Sequence, residues 1–218
     1  FRALRSRNYR LFFIGQGISL IGSWMTRLAT AWLVYRLTDS EFLLGLVSFA
    51  SQAPSLVLPP LAGVWLDRWD RHRVLLIAQV LSMLQSLAMA ALTLGGYVNV
   101  PWILGLALFQ GVVSAVEIPT RQAFVVRMID DRADLGNAIA LNSSNFNSAR
   151  LLGPAIAGGL VAAVGEGYCF LIDGLSYIAV IWGLLSMRLP PDDRPRVARN
   201  VWYELADGWR YLVRSTPI

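Results

Sequence analysis

Gly63-Val64-Trp65-Leu66-Asp67-Arg68-Trp69-Asp70-Arg71-His72-Arg73 is a short turn with three Arg and two Asp, set between two long apolar runs. Each run can cross a bilayer, which takes about 20 helical residues, and a connection this short makes the two spans antiparallel neighbours. The Arg excess puts the turn on the cytoplasmic side. Outward from it the chain is 56% apolar and only 15% charged, where a soluble domain carries about 25% charge. That shortfall points to a membrane protein. Six apolar runs stand at 11–35, 42–66, 74–95, 101–126, 137–163 and 168–187. The expected fold is an all-α membrane protein with six transmembrane helices.

The net charge of +5 comes from 19 Arg and no Lys. Sixteen Arg fall before span one, after span two, around the connection of spans four and five, or after span six, against one, Arg36, on the other side. Both ends of the chain are therefore expected in the cytoplasm. The basic balance fits lipid headgroups and topology rather than nucleic acid. Residues 1–187 form the expected six-helix domain. Pro190 and Pro191 end the last span, and 188–218 reads as a cytoplasmic linker. There Asn200 caps a short amphipathic helix carrying Val201, Leu205 and Leu212 on one face. The chain begins without Met and shows no cleavable signal peptide, so it reads as a fragment.

Absences exclude several chemistries. A phosphate-binding loop of the Walker type needs Lys. His72 and Cys169, one of each, make neither a His/Cys metal cluster nor a disulfide, and no Ser-His-Asp set is available. No cofactor, no metal and no enzymatic activity are expected.

Polar side chains recur at helical spacing inside the spans. Span one carries Gln16, Ser19, Ser23, Thr26, Arg27 and Thr30; span two Ser48, Gln52 and Ser55; span four Gln110, Ser114, Glu117 and Arg121. Lipid tails satisfy none of these groups, so the stripes must face other helices or a wet cavity. Gln79, Ser82 and Ser86 in span three make a weaker pattern, not expected to line a cavity. Glu117 and Arg121, four apart, can pair locally. Arg27 and Asp173 fall in the outer thirds of their spans, free to pair or to snorkel. Arg150, near the middle of span five, needs a partner or an anionic ligand, and Glu117 lies nearest in depth. Span five also holds Asn142, Asn145 and Asn147 beside Gly153, Pro154 and Gly158, a composition suited to close helix packing.

The basic turn resembles the Gly-x-x-x-Asp-Arg-x-Gly-Arg-Arg/Lys signature between the second and third helices of major facilitator superfamily transporters. Six spans and the Gly-Pro element of span five strengthen the likeness. Within that superfamily the chain is similar to the bacterial exporter group that includes siderophore exporters, through Glu117-Ile118-Pro119-Thr120-Arg121, Asn137-Ala138-Ile139-Ala140-Leu141-Asn142-Ser143-Ser144, Ala149-Arg150-Leu151-Leu152-Gly153-Pro154 and Gly208-Trp209-Arg210-Tyr211. Asp70 stands where the signature has its second Gly, as a residue tolerant of left-handed turns, and His72 stands where it has Lys or Arg. Ala140, Ala149 and Ala157 replace three Gly of the antiporter element in span five.

The resemblance implies the N-terminal half of a major facilitator fold, built as two three-helix repeats and cut before the seventh span. It implies a secondary transporter exporting a small organic molecule by alternating access, with proton antiport. Its partners would be the bilayer, the small-molecule substrate and a C-terminal six-helix half, in a bacterial plasma (inner) membrane. Gly63, Asp67, Arg68, Arg71 and Arg73 would form the cytoplasmic gating network. The expected substrate or proton site comprises Gln16, Arg27, Gln52, Gln110, Glu117, Arg121, Asn145, Arg150 and Asp173. A non-transporting membrane sensor or scaffold with the same fold is the alternative, and a membrane-embedded enzyme the third and weakest.

Overall fold

The computed structural model describes residues 2–58, 69–129 and 131–188. Six α-helices run through them: α1 Arg7–Thr38, α2 Glu41–Val57, α3 Arg71–Leu94, α4 Val100–Val125, α5 Leu135–Val164 and α6 Glu166–Leu185. Short 3-10 turns at Arg2–Arg5 and Arg132–Asp134 precede α1 and α5.

Local chemistry sets the breaks. Asp39 takes a left-handed conformation (φ 48°) and closes α1, and Ser40 caps α2 by accepting from the Leu43 amide at 3.3 Å. Asn99 caps α4 through the Trp102 amide at 3.1 Å, with Pro101 in the first turn where its missing N–H costs nothing. Gly165, at φ 92°, separates α5 from α6 with a backbone that favours glycine. Asp70 departs from expectation. It is extended (φ −65°, ψ 114°) rather than left-handed, and its carboxylate caps α3 through the His72 amide at 2.9 Å. The His72 ring in turn bonds the Leu184 carbonyl at 2.9 Å, tying the start of α3 to the end of α6.

α3 to α6 are each long and apolar enough to cross a membrane. α1, at 32 residues, has the length, but its Arg residues and polar stripe lower its hydropathy. α2 is described for 17 residues, so residues 59–66 of the expected 42–66 span lie outside the described residues, as does the linker helix after Asn200.

α1 packs on α5 and α6, α3 on α4 and α6, and α2 on α4. Two apolar clusters fill the ends of the bundle. One joins Tyr9, Phe12, Leu75, Phe124, Ala138 and Leu184; the other joins Met25, Leu33, Met89, Ile103, Ala157 and Phe170. Between them lies a layer of buried polar side chains: Gln16, Ser19, Gln79, Ser82, Gln85, Ser86 and Asp173. Large apolar residues such as Phe42, Leu56, Leu151 and Trp182 stand on the outside. Apolar surface around a polar middle suits lipid, not water.

At the end of the bundle where α1 stops and α6 starts, Arg36 Nε meets Glu166 Oε1 at 2.9 Å, and a second nitrogen reaches Oε2 at 3.1 Å. The Glu166 side chain is buried while that of Arg36 is half exposed. Removing the arginine leaves the carboxylate buried and alone. Arg36→Met is expected to cost about 1–2 kcal/mol, after allowance for screening at the exposed partner. The double variant Arg36→Met with Glu166→Leu should recover part of that loss in thermal unfolding of the purified protein.

Candidate functional site

The polar stripes converge. A cavity of about 610 Å³ opens between α1, α2 and α4, with Gln85 and Met89 of α3 behind it. Thr26, Arg27 and Thr30 line it from α1, Ser48, Gln52 and Ser55 from α2, and Gln110 and Ser114 from α4. A helix turn brings residues three and four apart to one face, so three stripes read along the chain become three walls of one space.

A smaller pocket of about 160 Å³ adjoins it and shares Arg27, Gln85, Gln110 and Ser114. Both carboxylates expected within the spans border it. Glu117 lies 3.8 Å from Arg121, one turn along α4, and accepts from the Gln79 amide nitrogen at 3.2 Å. Asp173 is 1% exposed. Its Oδ2 accepts from Ser86 at 2.6 Å and from Thr26 at 2.9 Å, and Oδ1 from Ser23 at 3.5 Å. Ser23 also meets the Tyr177 hydroxyl at 3.2 Å. Asp173 thus joins α1, α3 and α6 through hydroxyls and not through Arg27. The side-chain carbonyl oxygens of Gln16, Gln79 and Gln110 are buried without a hydrogen-bond partner. All three residues line this pocket, and it is where donors from water or a ligand would be taken up.

The polar residues of span three matter more than their pattern promised. Gln79 holds Glu117, Ser82 accepts from Gln110 at 3.1 Å, and Ser86 holds Asp173. Gln79 lines the smaller pocket, against the expectation for span three, while Ser82 and Ser86 are buried between helices and form no open stripe.

Arg27 and Arg150 meet at Trp24. The guanidinium carbon of Arg27 sits 4.7 Å from the indole centroid and that of Arg150 5.8 Å from it. Phe146 packs edge-on to the same indole, with centroids 5.6 Å apart at 72°. Glu117, the nearest candidate partner for Arg150 by depth, is instead taken by Arg121. Trp24 was not singled out in the sequence, although its place three residues before Arg27 allows stacking within one helix.

The remaining expected residues divide. Asn145 donates to the Phe13 carbonyl at 3.1 Å and packs against Gly17, so it serves the α1–α5 contact. A Cβ on Gly153 would lie 2.5 Å from the Trp24 Cβ, and Pro154 lies within α5. Gly158 has nothing within 4 Å of its Cβ position. Arg71 reaches the Ala123 carbonyl at 3.4 Å, joining α3 to α4, and Arg73 is exposed. Gly63, Asp67 and Arg68 lie outside the described residues. Among the described residues no group of three His, Cys, Asp or Glu is placed to hold a metal ion.

Known proteins agree with this architecture. Residues 1–218 match the family described as transmembrane secretion effector. The chain is 29% identical to the staphyloferrin A transporter of Staphylococcus aureus (strain NCTC 8325 / PS 47) over 192 residues, 86% of this chain and 48% of that protein. It is 26% identical to the multidrug efflux pump Tap of Mycolicibacterium fortuitum over 205 residues, 90% of this chain and 50% of Tap. It is 24% identical to the enterobactin exporter EntS of Shigella boydii serotype 4 over 211 residues, 95% and 49%. The chain spans about half the length of the curated relatives it matches. It is a multi-pass membrane protein belonging to the transmembrane secretion effector family of major facilitator superfamily transporters.

Proposed function

We propose that this chain is the N-terminal half of a secondary transporter that exports a small organic molecule by alternating access, in exchange for protons. One observation carries the reading: the buried polar layer, set between two apolar end clusters, borders the smaller pocket that adjoins the 610 Å³ cavity. Transporters bind substrate near the bilayer midplane between repeats that rock about a fixed site, and a drug-sized ligand fits such a volume. The similarity to a multidrug efflux pump and to an enterobactin exporter supports the direction.

The packing is compatible with two three-helix repeats. Exchanging α1, α2 and α3 for α4, α5 and α6 turns the α1–α5 contact into α4–α2, and the α1–α6 contact into α4–α3; all four are present. The Arg bias supports a cytoplasmic position for both ends of the chain, and the bacterial origin of its relatives supports a plasma (inner) membrane. A C-terminal six-helix half supplies the opposite wall of the cavity. By the resemblance of the turn, Gly63, Asp67, Arg68, Arg71 and Arg73 form the cytoplasmic latch that holds the outward-open state.

Glu117 carries the exchanged proton. It borders the pocket, where water can reach it, and it is held there by Arg121 at 3.8 Å and by the Gln79 amide nitrogen at 3.2 Å. The test uses the full-length transporter in proteoliposomes with an imposed pH gradient and a panel of amphipathic compounds. Substrate-dependent proton flux is expected from the wild type, absent in Glu117→Gln with membrane insertion intact, and lost in Asp67→Asn. Unchanged coupling in Glu117→Gln would remove this residue from the mechanism. Silence from folded wild-type protein across the panel would favour a sensor or scaffold instead.

A further inference from the structure

We infer that Arg27 and Arg150, stacked on Trp24, form an oxyanion seat, and that the exported molecule is an organic anion with a carboxylate-type group on a flat or aromatic body. The inference deepens the transport reading and rests on it. It starts from charge accounting. A guanidinium among transmembrane helices demands a partner, and the chain supplies one elsewhere: Arg36 has Glu166 and Arg121 has Glu117. Among the described residues Arg27 and Arg150 have neither a carboxylate nor a hydrogen-bond acceptor, only the indole.

A carboxylate is at hand and is not used. Thr26, next to Arg27 in the chain, bonds Asp173 at 2.9 Å, yet the Arg27 side chain turns to Trp24. Asp173 is occupied by the hydroxyls of Ser86, Thr26 and Ser23, and Glu117 by Arg121 and Gln79. The positive charge left over is thus available to a ligand. Arg27 borders both the 610 Å³ cavity and the smaller pocket, so a solute in the cavity reaches it directly.

The geometry also selects the kind of anion. A guanidinium lying on an aromatic face keeps its N–H groups directed outward in its own plane, where they form a fork for a planar oxyanion. Phe146 packs edge-on against the same indole at 5.6 Å, and both guanidinium carbons lie within 6 Å of its centroid. Trp24 and Phe146 line the smaller pocket, and their rings give a flat ligand body a surface to stack on. A lipid phosphate offers similar oxyanion chemistry, but Arg27 lines the cavity between helices beside Gln85 and Gln110.

The test compares two xanthene dyes of similar shape and opposite charge, 5-carboxyfluorescein and rhodamine 6G, on the full-length transporter. Binding is read by fluorescence anisotropy on purified protein and export by release from proteoliposomes. The wild type is expected to bind and export 5-carboxyfluorescein. Arg27→Gln and Arg150→Gln should each weaken that binding by about tenfold or more, with part restored in Arg27→Lys and no loss for rhodamine 6G. Elution profile and thermal midpoint confirm that each variant is folded.

Equal 5-carboxyfluorescein binding in wild type, Arg27→Gln and Arg150→Gln would overturn the seat, and so would a wild type that binds no 5-carboxyfluorescein. Phospholipid that co-purifies with wild type but not with Arg27→Gln, without dye binding, would assign the seat to a headgroup and overturn it too. Export of rhodamine 6G without anion binding would leave transport standing and the seat refuted. Anion binding lost in the Arg variants, without export of either dye, would keep the seat and refute transport.

Discussion

Asp173→Leu is expected to destabilise the bundle by about 2–4 kcal/mol and to abolish transport. Two effects add. The hydroxyls of Ser86 and Thr26 lose the acceptor they share, and a buried polar group left unsatisfied costs about 1–3 kcal/mol. Serine and threonine in a helix can turn back to their own backbone, which lowers that cost toward the bottom of its range. The second effect is steric. A Cβ at Gly22 would come 2.6 Å from Asp173 Oδ1, so the carboxylate already lies against the backbone of α1. Two branched methyl groups do not fit there, and overpacking adds about 1–3 kcal/mol.

Asp173→Asn separates the terms. It keeps the shape and one acceptor oxygen, so its midpoint should fall by less than half as much as that of Asp173→Leu in fluorescence-detected thermal unfolding. Equal midpoints for Asp173→Leu and wild type would mean that the hydroxyl network contributes nothing to holding α1, α3 and α6 together.

What the sequence made legible and what it hid follows from the range of the interactions. Helix existence depends on local pattern, and apolar runs of membrane length mark the spans well. The three stripes that became cavity walls were equally local, because Thr26, Gln52 and Gln110 each repeat with neighbours on their own helix. Pairings between helices were out of reach. Nothing near Asp173 in the chain points to Ser86, which is 87 positions away, and a lone charge in a span looks the same whether a guanidinium or three hydroxyls answer it. Arg27 and Asp173 were equally free to pair by depth, and only the turn of α1 sends one to Trp24 and leaves the other to Thr26.

Asp70 shows a subtler limit. Its tolerance for left-handed turns was a sound property of the residue, but its other property, capping a helix start, applied in this context. Ser19 was read as part of one polar face of α1. In the structure Ser19 does line the smaller pocket with Gln16, Ser23, Thr26 and Arg27, but α1 also presents a second face, on which Gly15 and Gly22 meet α6. Polarity and small size are both rare in lipid-facing positions, and spacing alone did not separate them.

That second face makes Gly15→Leu the substitution expected to be most damaging to the fold. A Cβ there would lie 2.8 Å from the Ala179 carbonyl oxygen and 3.0 Å from the Val180 Cα. Both are backbone atoms of α6, so no side chain can swing aside, and the helices must separate. Separation would also loosen Gly22 from Ser176 and Asp173, one and two turns further along the same contact. Helices in lipid hold together through packing rather than water exclusion, so a lost close approach has little to replace it. The expected loss is about 3 kcal/mol or more, partly masked by a gain of about 1 kcal/mol in helix propensity when glycine is replaced. Gly105→Leu isolates that gain, since its Cβ position meets nothing within 4 Å. Thermal unfolding in one detergent should place Gly105→Leu at or above wild type and Gly15→Leu far below. If both variants moved together, the α1–α6 contact would not be what limits the stability of the bundle, and the weight would pass to the α3–α6 contact on the other side of Asp173.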